Sequence, residues 1–282
     1  MTDHIETIQG ATVQHGPKSG RVFMKELGQA DPARLIPKLA ELAVRNNYPK
    51  VFVKVPASES RTFYRSDYRK EAAIPDFYDG EEDAVFLSNL SGSLPREEPG
   101  QNQLDEIMIT AREYQNSGLA HPLPQGAVIR KCCGEDVPAM ARMYRMLLPA
   151  YPFAVHDIDY LLQSMADESH YYRVEIRNEP VALAAAVVDT ETGSAEMTHF
   201  VTHPDWRKNG LSARLIQTME NAMRHFDIQT VYAMARASSA GINIAFARLG
   251  YSYGGRLINK TRISGHTESM NVWHRNLQFT PS

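Results

Sequence analysis

Apolar positions change their spacing several times along the chain, and each change predicts a new element. Thr12-Val13 and Val22-Phe23-Met24 alternate as short strands do. Asp31-Pro32 then offers a helix N-cap followed by proline at the first helical position, and Leu35, Ile36, Leu39, Leu42 and Ala43 recur behind it at helical spacing. Lys50-Val51-Phe52-Val53-Lys54-Val55, after Asn46-Asn47, predicts a strand. Most of the turn chemistry falls in residues 91–125, in Ser91-Gly92-Ser93-Leu94-Pro95, Glu98-Pro99-Gly100 and Pro122-Leu123-Pro124-Gln125-Gly126. One helix interrupts it, with Leu104, Ile107, Met108, Ala111 and Tyr114 as an apolar stripe expected to pack across the parts on either side.

From 127 the two periods alternate. A strand over 127–130 leads to a helix with Val137, Met140, Ala141, Tyr144, Leu147 and Leu148 on one face, then a second with Ile158, Leu161, Leu162 and Met165. Strands over 171–176 and 181–188, joined by a tight turn at Asn178-Glu179-Pro180, are expected to pair. The second is apolar on both faces and so belongs in the middle of a covered sheet. A strand over 195–202 precedes a helix with Leu211, Leu215, Met219, Ala222 and Phe226 in register. A strand (230–235), a helix (239–249) and strands over 256–261 and 269–274 complete an α+β unit. The expected domains are 1–95, a linker with a helix over 96–125, and 126–282.

The chain also repeats itself. Val51-Phe52-Val53-Lys54-Val55-Pro56-Ala57-Ser58 followed by Phe63-Tyr64-Arg65-Ser66-Asp67-Tyr68 parallels Val231-Tyr232-Ala233-Met234-Ala235-Arg236-Ala237-Ser238 followed by Phe246-Ala247-Arg248-Leu249-Gly250-Tyr251. In both, a late strand follows, ending Ser88-Asn89-Leu90 and Arg275-Asn276-Leu277. The first half is expected to be a degenerate copy of the second half's core.

With 282 residues, a net charge of −3 and 22% charged residues, the composition is that of a globular chain of two domains. The charge gives no long-range attraction to polyanions, so nucleic acid and anionic membranes are not expected partners. The start Met1-Thr2-Asp3-His4-Ile5-Glu6 has no basic and then apolar region, and no run reaches the ~18 apolar residues of a membrane span, which points to the cytoplasm. Cys132 and Cys133 are adjacent and expected to be free thiols. The ten histidines form no cluster with cysteines, so no metal is expected.

Thr202-His203-Pro204-Asp205-Trp206-Arg207-Lys208-Asn209-Gly210-Leu211-Ser212 leaves a strand, turns and enters an amphipathic helix. Unpaired N–H groups at the helix start, the close approach that Gly210 permits and the charges of Arg207 and Lys208 suit a pyrophosphate. With Arg207, Gly210 and Ser212 in its three fixed places, the run resembles the Arg/Gln-x-x-Gly-x-Gly/Ala loop of the GNAT acetyltransferases. The resemblance implies a GNAT fold over the C-terminal part and acetyl-CoA as co-substrate. It makes Arg207, Lys208, Asn209, Gly210, Leu211 and Ser212 cofactor-binding, with Phe200, Val201 and Thr202 on a strand splayed to receive the pantetheine arm. Ser239 and Asn243, on the late helix, are carried over in the same way.

Longer stretches resemble the β-lysine N6-acetyltransferases within that superfamily. They are Gly250–Thr261, Ile263-Ser264-Gly265, Glu268–Trp273, Glu196-Met197-Thr198, Tyr151-Pro152-Phe153 with His156-Asp157, and Glu71–Tyr78. The resemblance implies a small amine as acceptor and N6-acetyl-β-lysine, a compatible solute, as product. Lysine, a polyamine or a protein amine are the other acceptors, and a non-catalytic acyl-CoA-binding module is the alternative from a different class. A second copy of the chain is a candidate partner.

Acetyl transfer needs the free amine, and deprotonating a lysine-type ammonium at pH 7 costs about 4.6 kcal/mol. Glu196, eleven residues before Arg207, is at the offset of the catalytic glutamate in histone-acetyltransferase relatives of the fold and is the first candidate base. His199 and His203 are alternatives, although strand parity puts His199 opposite Glu196 unless a bulge intervenes. The tyrosine that serves many relatives as acid is replaced by Phe246, which leaves Tyr251 or Tyr253. Tyr151, Phe153, Asp157, Arg256, Asn259 and Glu268 are candidate acceptor contacts, and Asp76 and Glu71 could reach the site from the first half.

Overall fold

The computed structural model describes residues 3–90, 98, 100–149, 151, 153–263 and 266–277. Residues 91–95, Pro99, Pro152 and Ser264-Gly265, used above as turn signals or points of resemblance, lie outside the described residues.

The first half runs β1 (His4–Ile8), β2 (Ala11–Gly16), β3 (Arg21–Glu26), α1 (Pro32–Arg45), β4 (Lys50–Pro56), α2 (Ser60–Tyr64), β5 (Arg69–Tyr78) and β6 (Glu82–Leu90). After α3 (Gln101–Glu113), the second half runs β7 (Ala127–Lys131), α4 (Val137–Leu147), α5 (Ile158–Ala166), β8 (Ser169–Ile176), β9 (Glu179–Asp189) and β10 (Ser194–Thr202). It closes with α6 (Leu211–Met223), β11 (Thr230–Arg236), α7 (Ala240–Arg248), β12 (Ser252–Ile263) and β13 (His266–Asn276). All thirteen strands form one sheet in the order β1-β2-β3-β4-β6-β5-β12-β13-β11-β10-β9-β8-β7.

That order contains the repeat. In each half an antiparallel run (β1-β2-β3; β8-β9-β10) crosses through a helix to a parallel neighbour (β4; β11), which pairs with the second strand of a closing hairpin (β6; β13). The hairpins' first strands, β5 and β12, meet edge to edge, with Gly255 opposite Ala72. The first half thus repeats the strand order of the second without equivalents of β7, α4 and α5.

Gly254 and Gly255 allow that seam. A Cβ on Gly254 would collide with the Ala73 backbone oxygen, and one on Gly255 with the Glu71 oxygen and Ala72 Cα. Glu71 is committed there: it accepts from Lys50 Nζ at 2.6 Å, Ser88 Oγ at 2.6 Å and the Ile258 amide at 3.0 Å. Asp76 is exposed, and its backbone carbonyl accepts from Thr230 Oγ1.

One apolar core lies beneath α1 and α2, one between the second half's sheet and α3, α6 and α7, and one beneath α4 and α5. A fourth joins the halves: Phe23, Phe52, Phe77 and Phe86 pack with Tyr232, Leu257 and Val272, and the Phe77 and Tyr232 rings stand 5.3 Å apart. On β4, Val51, Val53 and Val55 serve the α1 core, while Phe52 enters the shared layer.

Two expectations need correction. The α3 helix does not bridge the halves but lies on the second, with Met108 and Ala111 in its core, and the chain after it bonds Asn116 and Gly118 to the Ala247 and Arg248 carbonyls. Phe226 is not in the register of α6, which ends at Met223; it is exposed and packs on His170. The strand β5 was not legible, because its apolar residues are broken by Lys70, Glu71, Pro75 and Asp76.

Candidate active site

The ladder between β10 and β11 is short. Ser194, Ala195 and Glu196 pair with Thr230, Val231 and Tyr232, and beyond Glu196 the two strands have no further recorded pair. On its other side β10 stays with β9, but the register shifts between Thr198 and Val201, where His199 adopts a φ of +56°. The β10 segment carrying Phe200, Val201 and Thr202 therefore offers main-chain groups unused by β11. A slot of this kind accepts an extended amide-containing chain such as pantetheine.

At the far end of the slot lies the glycine-led loop. Lys208 (φ +66°) and Gly210 (φ +69°) turn the backbone into α6, whose first turn has no acidic residue and no side-chain cap. Its leading N–H groups are therefore free for an anion. Arg207 is exposed with its Nε 3.4 Å from the Thr202 carbonyl, and the Asn209 amide ties the loop by donating to the Trp206 and Arg207 carbonyls. The donor set fits the pyrophosphate of acetyl-CoA. The counterpart in the first half does not: the N-terminus of α1 is closed by Asp31, whose carboxylate accepts from the Ala33 amide at 2.9 Å.

Glu196 stands where the split begins. It is half-buried, and among the described residues its carboxylate has no hydrogen bond or ion pair. It acts electrostatically on Tyr151, Tyr232, Arg21, Lys54 and Lys260.

His199 has a different setting. The bulge turns it into a box of rings formed by Tyr144, Tyr151, Phe153 and Tyr171, and its Nδ1 shares a 3.3 Å hydrogen bond with Tyr151 Oη. Burial lowers its pKa to about 4, so it is neutral at pH 7. Burial pushes the Tyr151 phenol well up, and that hydroxyl also bonds Thr198. His199 thus positions Tyr151 beside the split, and Tyr151 and Phe153 come together there.

The remaining candidates do not join this group. His203 caps the turn at Pro204–Trp206 and sits at the loop end of β10, about 20 Å along the strand from Glu196. Asp157 is exposed and caps α5 by accepting from the Tyr160 amide at 3.0 Å. Arg256 points to the α3 face, paired with Glu98 and Asp105 at 2.9 Å. Glu268 accepts from Arg236 at 2.7 Å and Ser238 at 2.9 Å. Asn259 occupies a bulge in β12 with φ +50°.

Asn243 is buried and saturated. Its amide donates to the Arg236 and Ser239 carbonyls, and its oxygen accepts from Asn271 and from Trp273 Nε1 at 2.8 Å. Its side chain therefore has nothing left for a cofactor. Ser239 provides the carbonyl of that bond and makes no side-chain cap on α7. Tyr251 is fully buried against Phe246. Tyr253 is opposite Trp273, which is opposite Ala233, so two strand spacings, about 10 Å, part it from β11.

Four basic residues were missed as site residues. Arg21, Lys50, Lys54 and Lys260 are all buried and line the layer shared by the halves. The signal was present in β4, where Lys50, Phe52 and Lys54 alternate on the face opposite three valines.

A parallel pair that opens at a carboxylate and leads to an uncapped, glycine-led helix fits an acetyl-CoA-dependent N-acetyltransferase, the class to which the chain's relatives assign it. Residues 140–251 match the Acetyltransferase (GNAT) family. A beta-lysine N(6)-acetyltransferase of Methanosarcina mazei is 37% identical over 75% of this chain and 78% of its own length. Another, from Methanococcus maripaludis, is 25% identical over 97% and 98%, and the N-acetyltransferase YodP of Bacillus subtilis is 28% identical over 86% and 88%. The chain belongs to the GNAT acetyltransferase family, in the group of the β-lysine N6-acetyltransferases.

Proposed function

We propose that the enzyme transfers the acetyl group of acetyl-CoA to the N6 amine of β-lysine, giving N6-acetyl-β-lysine, a compatible solute. The observation that carries the chemistry is the unpartnered Glu196 at the point where β10 and β11 part. The support for the acceptor is that two relatives are named for this activity, one of them similar over nearly the whole chain.

In this reading the β10 main chain and the α6 N-terminus hold the co-substrate with its thioester beside Glu196. Glu196, directly or through one water, takes a proton from the ammonium. The amine's lone pair then forms the C–N bond at the thioester carbonyl carbon, the C–S bond breaks with its electrons on sulfur, and the second N–H proton passes through solvent to the thiolate. A thiol pKa near 8.5 makes the thiolate a fair leaving group without a strong acid. Tyr151, held by His199, flanks the acceptor.

The test is a screen of amines for acetyl-CoA-dependent release of CoA, with β-lysine, lysine, spermidine and a peptide amine. Preference for β-lysine with acetylation at N6 is expected. Turnover of another amine but not of β-lysine would overturn the acceptor assignment and leave the acetyltransferase reading intact.

A further inference from the structure

The layer between the halves holds more positive than negative charge. Lys50 is balanced by Glu71. Arg21, Lys54 and Lys260 are not balanced in this way: among the described residues none has an ion pair, and each is more than nine-tenths buried. The Arg21 Nη1 donates to the Lys260 carbonyl at 2.6 Å, and its buried Nε has no partner. The Lys54 ammonium stands over two rings, Phe77 at 4.7 Å and Tyr232 at 6.0 Å, and feels Asp189, Glu26 and Glu196 through space without a salt bridge to any of them. The Lys260 ammonium touches Met234 Sδ and stands 5.5 Å from the Phe23 ring. Burying a cation without an anion is expensive, so an arrangement of this kind suits a site that receives one.

These cations surround the start of the split. Tyr232, beside Lys54, is the residue paired with Glu196, and Met234, beside Lys260, lies two residues further along β11, where β10 has already left. The β12 bulge between Leu257 and Thr261, with Asn259 in the left-handed region, resets the strand's alternation so that Lys260 enters the layer together with Leu257. The charged groups acting on Lys260 are Arg21, Glu196, Lys25 and Lys50, and Glu196 is the only anion among its largest influences.

We infer that Lys260, with Arg21 and Lys54 of the first half, forms the anion side of the acceptor pocket and receives the carboxylate of an amino-acid substrate whose amine stands at Glu196. The inference rests on the reading of Glu196 as the site of transfer. It gives the degenerate half a direct part in selecting the acceptor, supplied from β3 and β4.

Steady-state kinetics of the full chain with β-lysine and with its carboxamide tests this. Wild type is expected to favour the acid by about 10–100-fold in kcat/KM, the range of a lost charge-assisted contact. Lys260→Met should raise KM for the acid about tenfold or more, leave KM for acetyl-CoA within twofold, and leave the carboxamide nearly unaffected, so that the discrimination collapses. Equal use of acid and amide by wild type, or an equal loss on both in Lys260→Met, would overturn the inference. The wild-type comparison stands even if the variant does not fold. If another amino acid proves to be the acceptor, the same acid and amide pair of that compound decides the matter separately from the β-lysine assignment; an enzyme that acetylates only amines without a carboxylate sinks the inference.

Discussion

Glu196 and Tyr232 are the last residues at which β10 and β11 pair, so the candidate base and the opening for the cofactor are fixed by one register. A shift of one residue in that ladder would turn Glu196 to the other face and move the start of the split with it.

Glu196→Gln is expected to lower kcat at pH 7 by roughly 10²–10⁴, the usual worth of a positioned base, with partial recovery above about pH 9 as more amine is free. The KM for acetyl-CoA should change little. Unchanged kcat in the pH profile would remove Glu196 as base.

Gly210→Ala places a Cβ where φ is +69°, a strain of about 1–2 kcal/mol. The Cβ itself meets only His121 at ordinary contact distance, so the strain falls on the loop geometry. KM for acetyl-CoA should rise roughly 5–30-fold, with KM for the acceptor nearly constant. Proportional changes in both constants would argue against a separate cofactor loop.

Asn243→Ala leaves Trp273 Nε1, Asn271 and two carbonyls without partners in the core. Each unsatisfied group costs about 1–3 kcal/mol, so the melting temperature should fall by several degrees. Below the transition, KM for acetyl-CoA should stay at its wild-type value. A raised KM with unchanged stability would restore Asn243 to the cofactor site.

Titration calorimetry with CoA should give one site per chain. Asp31 fills the N-terminus of α1 with a carboxylate, which would repel a pyrophosphate where α6 attracts one. Two sites of comparable affinity would contradict this.

Burial lowers the pKa of Lys260 to about 7 and also lowers those of Lys50 and Lys54. Between about pH 7 and 10.5 the unfolded chain therefore binds more protons than the folded one, and stability should rise with pH across that window. Denaturant midpoints at pH 7 and pH 9 check this. Lys260→Met should reduce the difference between them and stabilise the protein at pH 7.

Much of the second half was legible because its signals are local. The apolar run 181–188 became β9, an interior strand between β10 and β8, and Arg207, Gly210 and Ser212 marked the loop before α6. The parity of β10 also predicted that only a bulge could bring His199 and Glu196 to one place. The bulge exists, and it delivers His199 to a ring cluster beside Tyr151. What stayed hidden depends on contacts between distant segments. Asp157, Arg256 and Glu268 looked like substrate ligands, but a cap, two acids on the α3 face and Arg236 hold them. The burial of Arg21 and Lys54 was hidden in the same way, because nothing local tells that the other half of the sheet covers them.

The seam at Gly255 and Ala72 joins equivalent strands of two like units, as the contact of a symmetric pair of separate subunits would. In separate identical subunits every substitution is made twice, so a residue that helps one copy must be tolerated in the other. Covalent linkage removes that restriction. Asp31 could close one anion site while Gly210 kept the other open, and Arg21 and Lys54 could be placed in the first half while Glu196 was kept in the second.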